Sequence, residues 1–415
     1  MYKKYLNLSN LLIIGSATLA IGILTLTLNK RFLFVIVYLI SLLLLLNAVF
    51  NIIKLIGKKI TVKTHGIILQ TFLNIIISIL FISIPDIPFS ILSLIFGIYI
   101  IFNGIVKLIN YIIFKANRTK GRFLELFVFI FYLIFGFSCM LSPLVSINTI
   151  LTIIGIYFIM LGSTYILDFV TQLIPAKQKN KFRKKLKITL PVFLSALVPR
   201  NMLDQIDNGN NIIKEEKETA DLEIFIHVTK DGFGQTGHCD FYFDNEVISY
   251  GNYDHDSLKL FESIGDGVLF TTSKKEKYIK FCIKDSNKTI FGFGLKLTET
   301  QKEKIRKQLE KIKSNTYAWD YPIIESKKKF KKRPFYAIRL NKSVGAKFYK
   351  FKNGKYKTYF VLSTNCVRLV DDVLGNSCLN SIKISGIITP GSYYDFLATE
   401  YMKKNSNVVS YTIYK

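Results

Sequence analysis

Between residues 11 and 167 the chain is a series of apolar runs, 11–28, 32–53, 67–84, 87–106, 126–142 and 148–167, broken by short polar stretches. Runs of about 18 to 22 residues, at about 1.5 Å per helical residue, match a hydrocarbon layer ~30 Å thick. This pattern predicts six membrane-spanning helices. After residue 220 the period changes. Leu222, Ile224, Ile226 and Val228 alternate with Glu223, Phe225 and His227, which predicts a strand with His227 at its surface. A second strand over 237–243 places His238, Asp240 and Tyr242 on one face and Cys239, Phe241 and Phe243 on the other. Thr298 and Gln301 form a capping box ahead of a helix that buries Ile305, Leu309 and Ile312. Asn353-Gly354 predicts a type I′ hairpin within 349–361. Beyond it Val367, Val370, Val373 and Leu374, set against Arg368, Asp371 and Asp372, predict a helix closed by Gly375.

Charge sharpens this division. Of 56 Lys and Arg only 13 precede residue 175, and of 29 Asp and Glu only Asp86, Glu125 and Asp168 do. The connections alternate. Three are short turns, and two are long loops carrying Lys54, Lys58, Lys59 and Lys63, or Lys115, Arg118, Lys120 and Arg122. The long loops lie on the side of Lys3 and Lys4 and of the cluster 177–187, so the positive-inside rule predicts a multi-pass protein of the cell membrane with both termini in the cytoplasm. Only Lys30 and Arg31 fall on the other side. The expected order is a six-span domain over 1–175, a basic interfacial segment and linker over 176–220, and an α+β domain over 221–415. The basic segment suits the lipid bilayer and its anionic headgroups, at about 1 kcal/mol per basic residue near the surface. Lys beside membrane spans is a topology signal, so the net charge of +27 gives no reason to expect nucleic acid. Lys107, Glu125 and Asp168 sit at helix ends, and no relay of intramembrane charges marks a transport path. Asn47, Asn51, Asn74 and Asn103 read as packing contacts between helices.

The hairpins resemble one another. Gly97-Ile98-Tyr99 recurs as Gly155-Ile156-Tyr157, Gly104 matches Gly162, and Asn47 matches Asn103. With small residues in each second helix, residues 10–170 resemble the HdeD-like short-repeat membrane family.

Cys139, Cys239, Cys282, Cys366 and Cys378 are odd in number and have no CxxC spacing, which excludes a disulfide framework and a cysteine zinc site. His238, Cys239, His255 and Cys366 have no recognised metal spacing either, and no cofactor is implied. The formal GxGxxG at 232–237 opens into a strand, not a helix, which excludes a dinucleotide site. Cys366 is the candidate nucleophile. With Ser363 or Thr364 as N-cap it falls in the first turn of its helix, where free amides and the helix dipole favour a thiolate and can hold an oxyanion. His238 is the best-placed base.

A Gly237-His238 strand, the following Ile248-Ser249-Tyr250-Gly251, and a later Asn365-Cys366 opening an amphipathic helix together resemble circularly permuted papain-like proteins related to NlpC-type peptidases and lecithin retinol acyltransferases. The segment 386–394, with Pro390, resembles one that follows the cysteine helix in bacterial members. The resemblance covers 221–400. It implies a papain-like fold and a thiol hydrolase or acyltransferase acting on a peptide, amide or lipid acyl bond, with Cys366 as nucleophile and His238 as base. The residue that orients the histidine departs from the pattern, because Tyr250 stands where the acyltransferase-type relatives place a second histidine. Asp254, His255 and Asp240 are the substitutes. Loss of that residue would leave instead a non-enzymatic stress or envelope protein whose domain binds a peptide or lipid.

Overall fold

A computed structural model describes residues 8–56, 62–141, 143–173, 215–216, 219–229, 237–327, 333–374, 389–402 and 406–415. The basic cluster 177–187, the interfacial stretch 186–194, most of the linker, the glycine loop 232–236, Gly375 and Cys378 lie outside the described residues. So do Lys3, Lys4, Lys58, Lys59 and the first residues of 386–394. The chain divides into two compact units, Leu11–Ile109 with Phe123–Leu167, and Met1–Asn10 with Asn110–Arg122 and Asp168–Lys415.

The first unit is helical, formed by α1 (Leu8–Leu28), α2 (Lys30–Leu55), α3 (Val62–Ser83), α4 (Asp86–Ala116), α5 (Arg122–Leu141) and α6 (Pro143–Leu173). Five helices are long and apolar enough to cross a membrane by length and composition, and a sixth apolar stretch, Leu12–Leu28, is shorter. Their large side chains point outward, Leu43 at 64% and Phe127 at 69% exposure, as a lipid-facing surface requires.

Packing between these helices rests on small residues at the repeat positions. On α2 and α3 the Ser78 hydroxyl donates to the Ser41 carbonyl at 2.8 Å. A Cβ on Gly97 of α4 would lie 2.8 Å from the Gly136 carbonyl of α5, and one on Gly22 of α1 would lie 2.9 Å from the Gly155 carbonyl of α6. Ser41, Gly97 and Gly155 are equivalent repeat positions, one in each second helix. Each second helix is therefore clasped to the first helix of the next hairpin, and the third closes onto the first. Asn74 of α3 donates to Asn47 Oδ1 of α2 at 3.0 Å, as interhelical packing predicts, whereas Asn51 donates to the same oxygen from within α2 at 3.1 Å and Asn103 donates to the Tyr99 carbonyl of its own helix. Lys107 and Glu125 pair with each other at 3.1 Å.

The second unit is built on a nine-stranded sheet in which every pairing is antiparallel. Its strands are β1 (Glu215–Glu216), β2 (Leu222–Val228), β3 (His238–Phe243), β4 (Glu246–Gly251), β6 (Val268–Thr272), β7 (Thr289–Leu295), β8 (Thr316–Ala318), β9 (Lys347–Phe351) and β11 (Val408–Tyr414), in the order β1-β11-β7-β2-β3-β4-β6-β9-β8. β5 (Ile264–Asp266) pairs apart with β10 (Thr358–Phe360). Helices cover both faces. α8 (Glu299–Ser314), α11 (Cys366–Leu374) and α12 (Pro390–Met402) pack with Ile224, Ile226, Cys239 and Phe241. α7 (Lys275–Ser286) and α10 (Tyr336–Val344) pack with Phe225, Val247 and Phe270, and a short α9 (Tyr321–Ser326) precedes α10. Thr298 and Gln301 make the expected capping box, and Ile305, Leu309 and Ile312 are buried.

Three expectations need correction. Asn353-Gly354 does not close a hairpin, because β9 pairs with β6 and β8 while β10 pairs with β5. The type I′ turn is Asp244-Asn245, both residues at positive φ, between β3 and β4. His227 is not surface but 1% exposed, since helices cover both sides of β2. The remaining correction concerns α11, whose first turn is capped by Asn365, with the Arg368 amide donating to Asn365 Oδ1 at 3.0 Å, and not by Ser363 or Thr364. The hydroxyls of those two residues bond Asn110 Oδ1 at 2.7 Å and the Thr358 carbonyl at 2.9 Å.

Replacing Gly22 or Gly97 with leucine should lower the unfolding temperature of the purified protein, at a cost of about 1–3 kcal/mol from forced separation of the helices. Gly66, with nothing within 4 Å of its Cβ position, should tolerate alanine with little change. Equal melting of the Gly22 and Gly66 variants would contradict the clasp.

Candidate functional site

β3 divides the predicted chemistry between two faces. Cys366, the first residue of α11, lies 2% exposed in the same apolar cluster as Cys239, Tyr250 and Tyr359. Its sulfur takes hydrogen bonds from the backbone N–H groups of Cys239 and Val367 and from the Tyr359 hydroxyl, yet burial outweighs them and pushes the thiol up to about 11. His238 opens β3 and turns to the other face. Its Nε2 lies 2.8 Å from Ser249 Oγ and 3.0 Å from Tyr253 Oη, and these two hydroxyls are themselves 2.8 Å apart. Among the described residues no hydrogen bond joins His238 to Cys366.

Of the proposed orienting residues Asp240 alone faces His238, its carboxylate 3.8 Å from Nε2, and Asp254 and His255 are elsewhere. Lys350 donates to Asp254 Oδ2 at 2.6 Å, and Asp254 also accepts from the Asp256 amide. His255 is 53% exposed and stacks on Phe335 with ring centroids 4.0 Å apart. Neither meets His238. Tyr250 donates to the Tyr356 carbonyl at 3.0 Å on the Cys366 face. Tyr253, Asp254, His255, Trp319, Tyr321 and Phe335 line a small open cleft.

Spacing did not reveal the densest polar cluster. On the His238 face, His227 Nε2 lies 3.0 Å from Asp240 Oδ1, and the Tyr278 hydroxyl donates to Asp240 Oδ2. Asp240 is fully buried, and its carboxyl is held below the ordinary range because the charge and hydrogen bond of His227 overcome desolvation. Desolvation opposes protonation of both histidines with different outcomes. The Asp240 charge raises His227 to about 9, and interaction with the Cys282 thiol adds to it. His238, 3.8 Å from the same carboxylate, is held down to about 3 by desolvation and by the neighbouring His227 charge. Cys282 is drawn below the usual thiol range by His227 against its own desolvation. His227, Asp240 and Cys282 share no local motif. The one available signal was the facing alternation of β2 and β3, which puts His227 opposite His238.

Comparison with known proteins fits the first unit. Residues 13–70, 69–141 and 130–180 match a short repeat of unknown function, DUF308, consistent with the HdeD-like resemblance of the membrane repeats. No curated protein and no solved structure matches the chain. The C-terminal domain therefore has no counterpart that supports a papain-like assignment.

The two histidines titrate in opposite senses. His227, raised from 6.5 to about 9, contributes stability that is complete below pH 6.5 and is lost as pH rises through 9. His238, lowered to about 3, contributes stability that is present above pH 6.5 and is lost as pH falls toward 3. Thermal melts across pH should show His227→Gln flattening the alkaline limb and His238→Gln the acid limb. An unchanged profile in either variant would refute that assignment.

Proposed function

We propose that the protein is a six-span membrane protein of the cell membrane, both termini cytoplasmic, that holds a ligand-binding domain over anionic headgroups, and that this domain does not turn over substrate through a Cys366–His238 pair. The observation that carries this reading is the state of the pair. Cys366 is buried with its thiol near 11, His238 is neutral with its Nε2 engaged by two hydroxyls, and no bond links them. The raised thiol and the lowered imidazole both oppose transfer of a proton from Cys366 to His238. The basic loop residues Lys115, Arg118, Lys120 and Arg122 support the orientation. The small aromatic cleft beside Trp319 is the candidate contact surface, and Trp319 is the only tryptophan in the sequence, so its fluorescence reports occupancy directly.

A second reading has its own observation. Cys366 is the first residue of α11, and its sulfur accepts the N–H of Cys239, the neighbour of His238 in the chain. That placement favours a thiol hydrolase or acyltransferase in which substrate binding brings His238 to Cys366, with Asp254 or His255 recruited to orient it, on a peptide, amide or lipid acyl bond.

Iodoacetamide labelling of each cysteine against pH, read by peptide mass spectrometry on the full chain in lipid nanodiscs, separates the two. Binding without turnover predicts that Cys366 stays unlabelled until alkaline pH and that His238→Ala changes nothing. Selective labelling at acidic pH that disappears in His238→Ala would establish catalysis instead, and Cys366→Ser should then abolish turnover.

A further inference from the structure

The turn between Lys259 and Ile264 presents apolar side chains to the outside on a backbone that ordinarily avoids them. Leu260, Phe261 and Glu262 take φ of 47°, 54° and 63°, in the left-handed region that bulky residues rarely enter. Such a conformation persists only where its surroundings hold it. Here the Lys259 amide donates to the Ile264 carbonyl at 2.8 Å, and the Ile264 amide donates back at 3.2 Å. The amide and hydroxyl of Ser263 both donate to the Leu260 carbonyl, and Asn252 Nδ2 donates to the Glu262 carbonyl. On this closed turn Leu260 is 58% and Phe261 90% exposed. Among the described residues no large apolar side chain is more exposed than Phe261, those of the lipid-facing helices included.

Hydrogen bonds tie the turn to the end of a membrane helix. Residues 110–122 belong to the same compact unit as the sheet. The Val361 amide donates to the Ser263 carbonyl at 3.0 Å, and Ile264 of β5 stands opposite Phe360 of β10. Just beyond, Ser363 Oγ donates to Asn110 Oδ1 at 2.7 Å, and at the start of β10 Asn117 Nδ2 donates to Thr358 Oγ1 at 3.0 Å. α4 has 31 residues, about 46 Å at 1.5 Å per residue, whereas the hydrocarbon layer is ~30 Å thick. A span that begins at Asp86 therefore carries residues 110–116 to the headgroup level, where exposed Ile112 gives way to exposed Lys115.

We propose that Leu260 and Phe261 insert into the cytoplasmic leaflet of the bilayer that α4 crosses, and so hold the C-terminal domain against the membrane surface. This placement rests on the reading of α4 as a membrane span. Size favours lipid over a protein partner. Two side chains offer a few hundred Å² at most, short of the about 800 Å² per partner that a stable protein interface takes. Interfacial segments bury Phe and Leu at the headgroup boundary, with a strength that grows with the apolar area buried. Lys259 and Glu262 flank the pair with opposite charges, so the attraction is apolar and not electrostatic.

The test adds one tryptophan to the full chain in lipid nanodiscs. Phe261→Trp is read by its emission and by quenching from lipids brominated high on the acyl chains, as the difference from the wild-type chain. Phe127→Trp, on the outward face of α5, is the membrane reference. The indole at 261 should emit to the blue of a water-exposed one and lose most of its emission to brominated lipid, equally in zwitterionic and anionic nanodiscs. Three results would each overturn the proposal: quenching by aqueous iodide instead, a blue shift without bromine quenching, which marks a protein contact, or bromine quenching confined to anionic lipid. If Phe127→Trp is quenched and Phe261→Trp is not, only the anchor falls. If both escape bromine, the membrane reading of the helices falls with it.

Discussion

A carboxylate shut off from water governs the C-terminal domain. Asp240 has no exposed surface and lies in the middle of the sheet, so its charge must be met by fixed partners. His227 and Tyr278 meet it from β2 and α7. Once His227 is charged, a second cation beside it is disfavoured, and His238, which shares the same carboxylate at 3.8 Å, remains neutral and turns to Ser249 and Tyr253. Cys282 is drawn toward the thiolate by that same imidazolium. One buried ion pair thus biases the protonation of two other groups, His238 and Cys282. Removing either member would leave an uncompensated charge in the interior, a loss typically of about 3–5 kcal/mol.

How much of this is legible in sequence depends on the range of the forces concerned. The helical character of the apolar runs, the capping box at Thr298 and the place of Cys366 in the first turn of its helix are local and hold, although Asn365 and not Ser363 or Thr364 caps that turn. The alternation of β3 likewise separates Asp240 from Cys239 correctly. What alternation cannot tell is whether a polar face meets water. His227 reads as surface because it alternates with Ile226 and Val228, yet α7 and α10 cover that side and bury it. Turn propensity misleads in the same way at Asn353-Gly354, where the flanking segments find partners in β5, β6 and β8 and not in each other. Cys366 has the helix start its sequence advertises, but its burial depends on Tyr359 and on α12, which no spacing around the cysteine reveals. His227, Asp240 and Cys282 converge only through the sheet and the helix laid across it.

The membrane repeats pose the opposite case, since their signal is plain and its structural meaning is not. Recurrence of Gly-Ile-Tyr identifies equivalent helices but does not say what the glycines touch. Their role is to let backbones approach across hairpins: Gly97 against Gly136, Gly155 against Gly22, and Ser41 against Ser78. In a bilayer, where apolar surface alone gives helices little reason to associate, such close contact is the main source of specificity.

This clasp has a consequence for biosynthesis. Helices leave the ribosome in pairs, each hairpin ready to enter the bilayer as soon as it is made, but the pairs that insert are not the pairs that lock. The glycine face of α1 has its partner in α6, the last helix of the series, so it waits among lipids while four further helices are threaded. Until then the first hairpin is inserted but unfinished, and a nascent chain arrested before α6 would carry an open glycine edge that a membrane quality-control protease or chaperone could recognise.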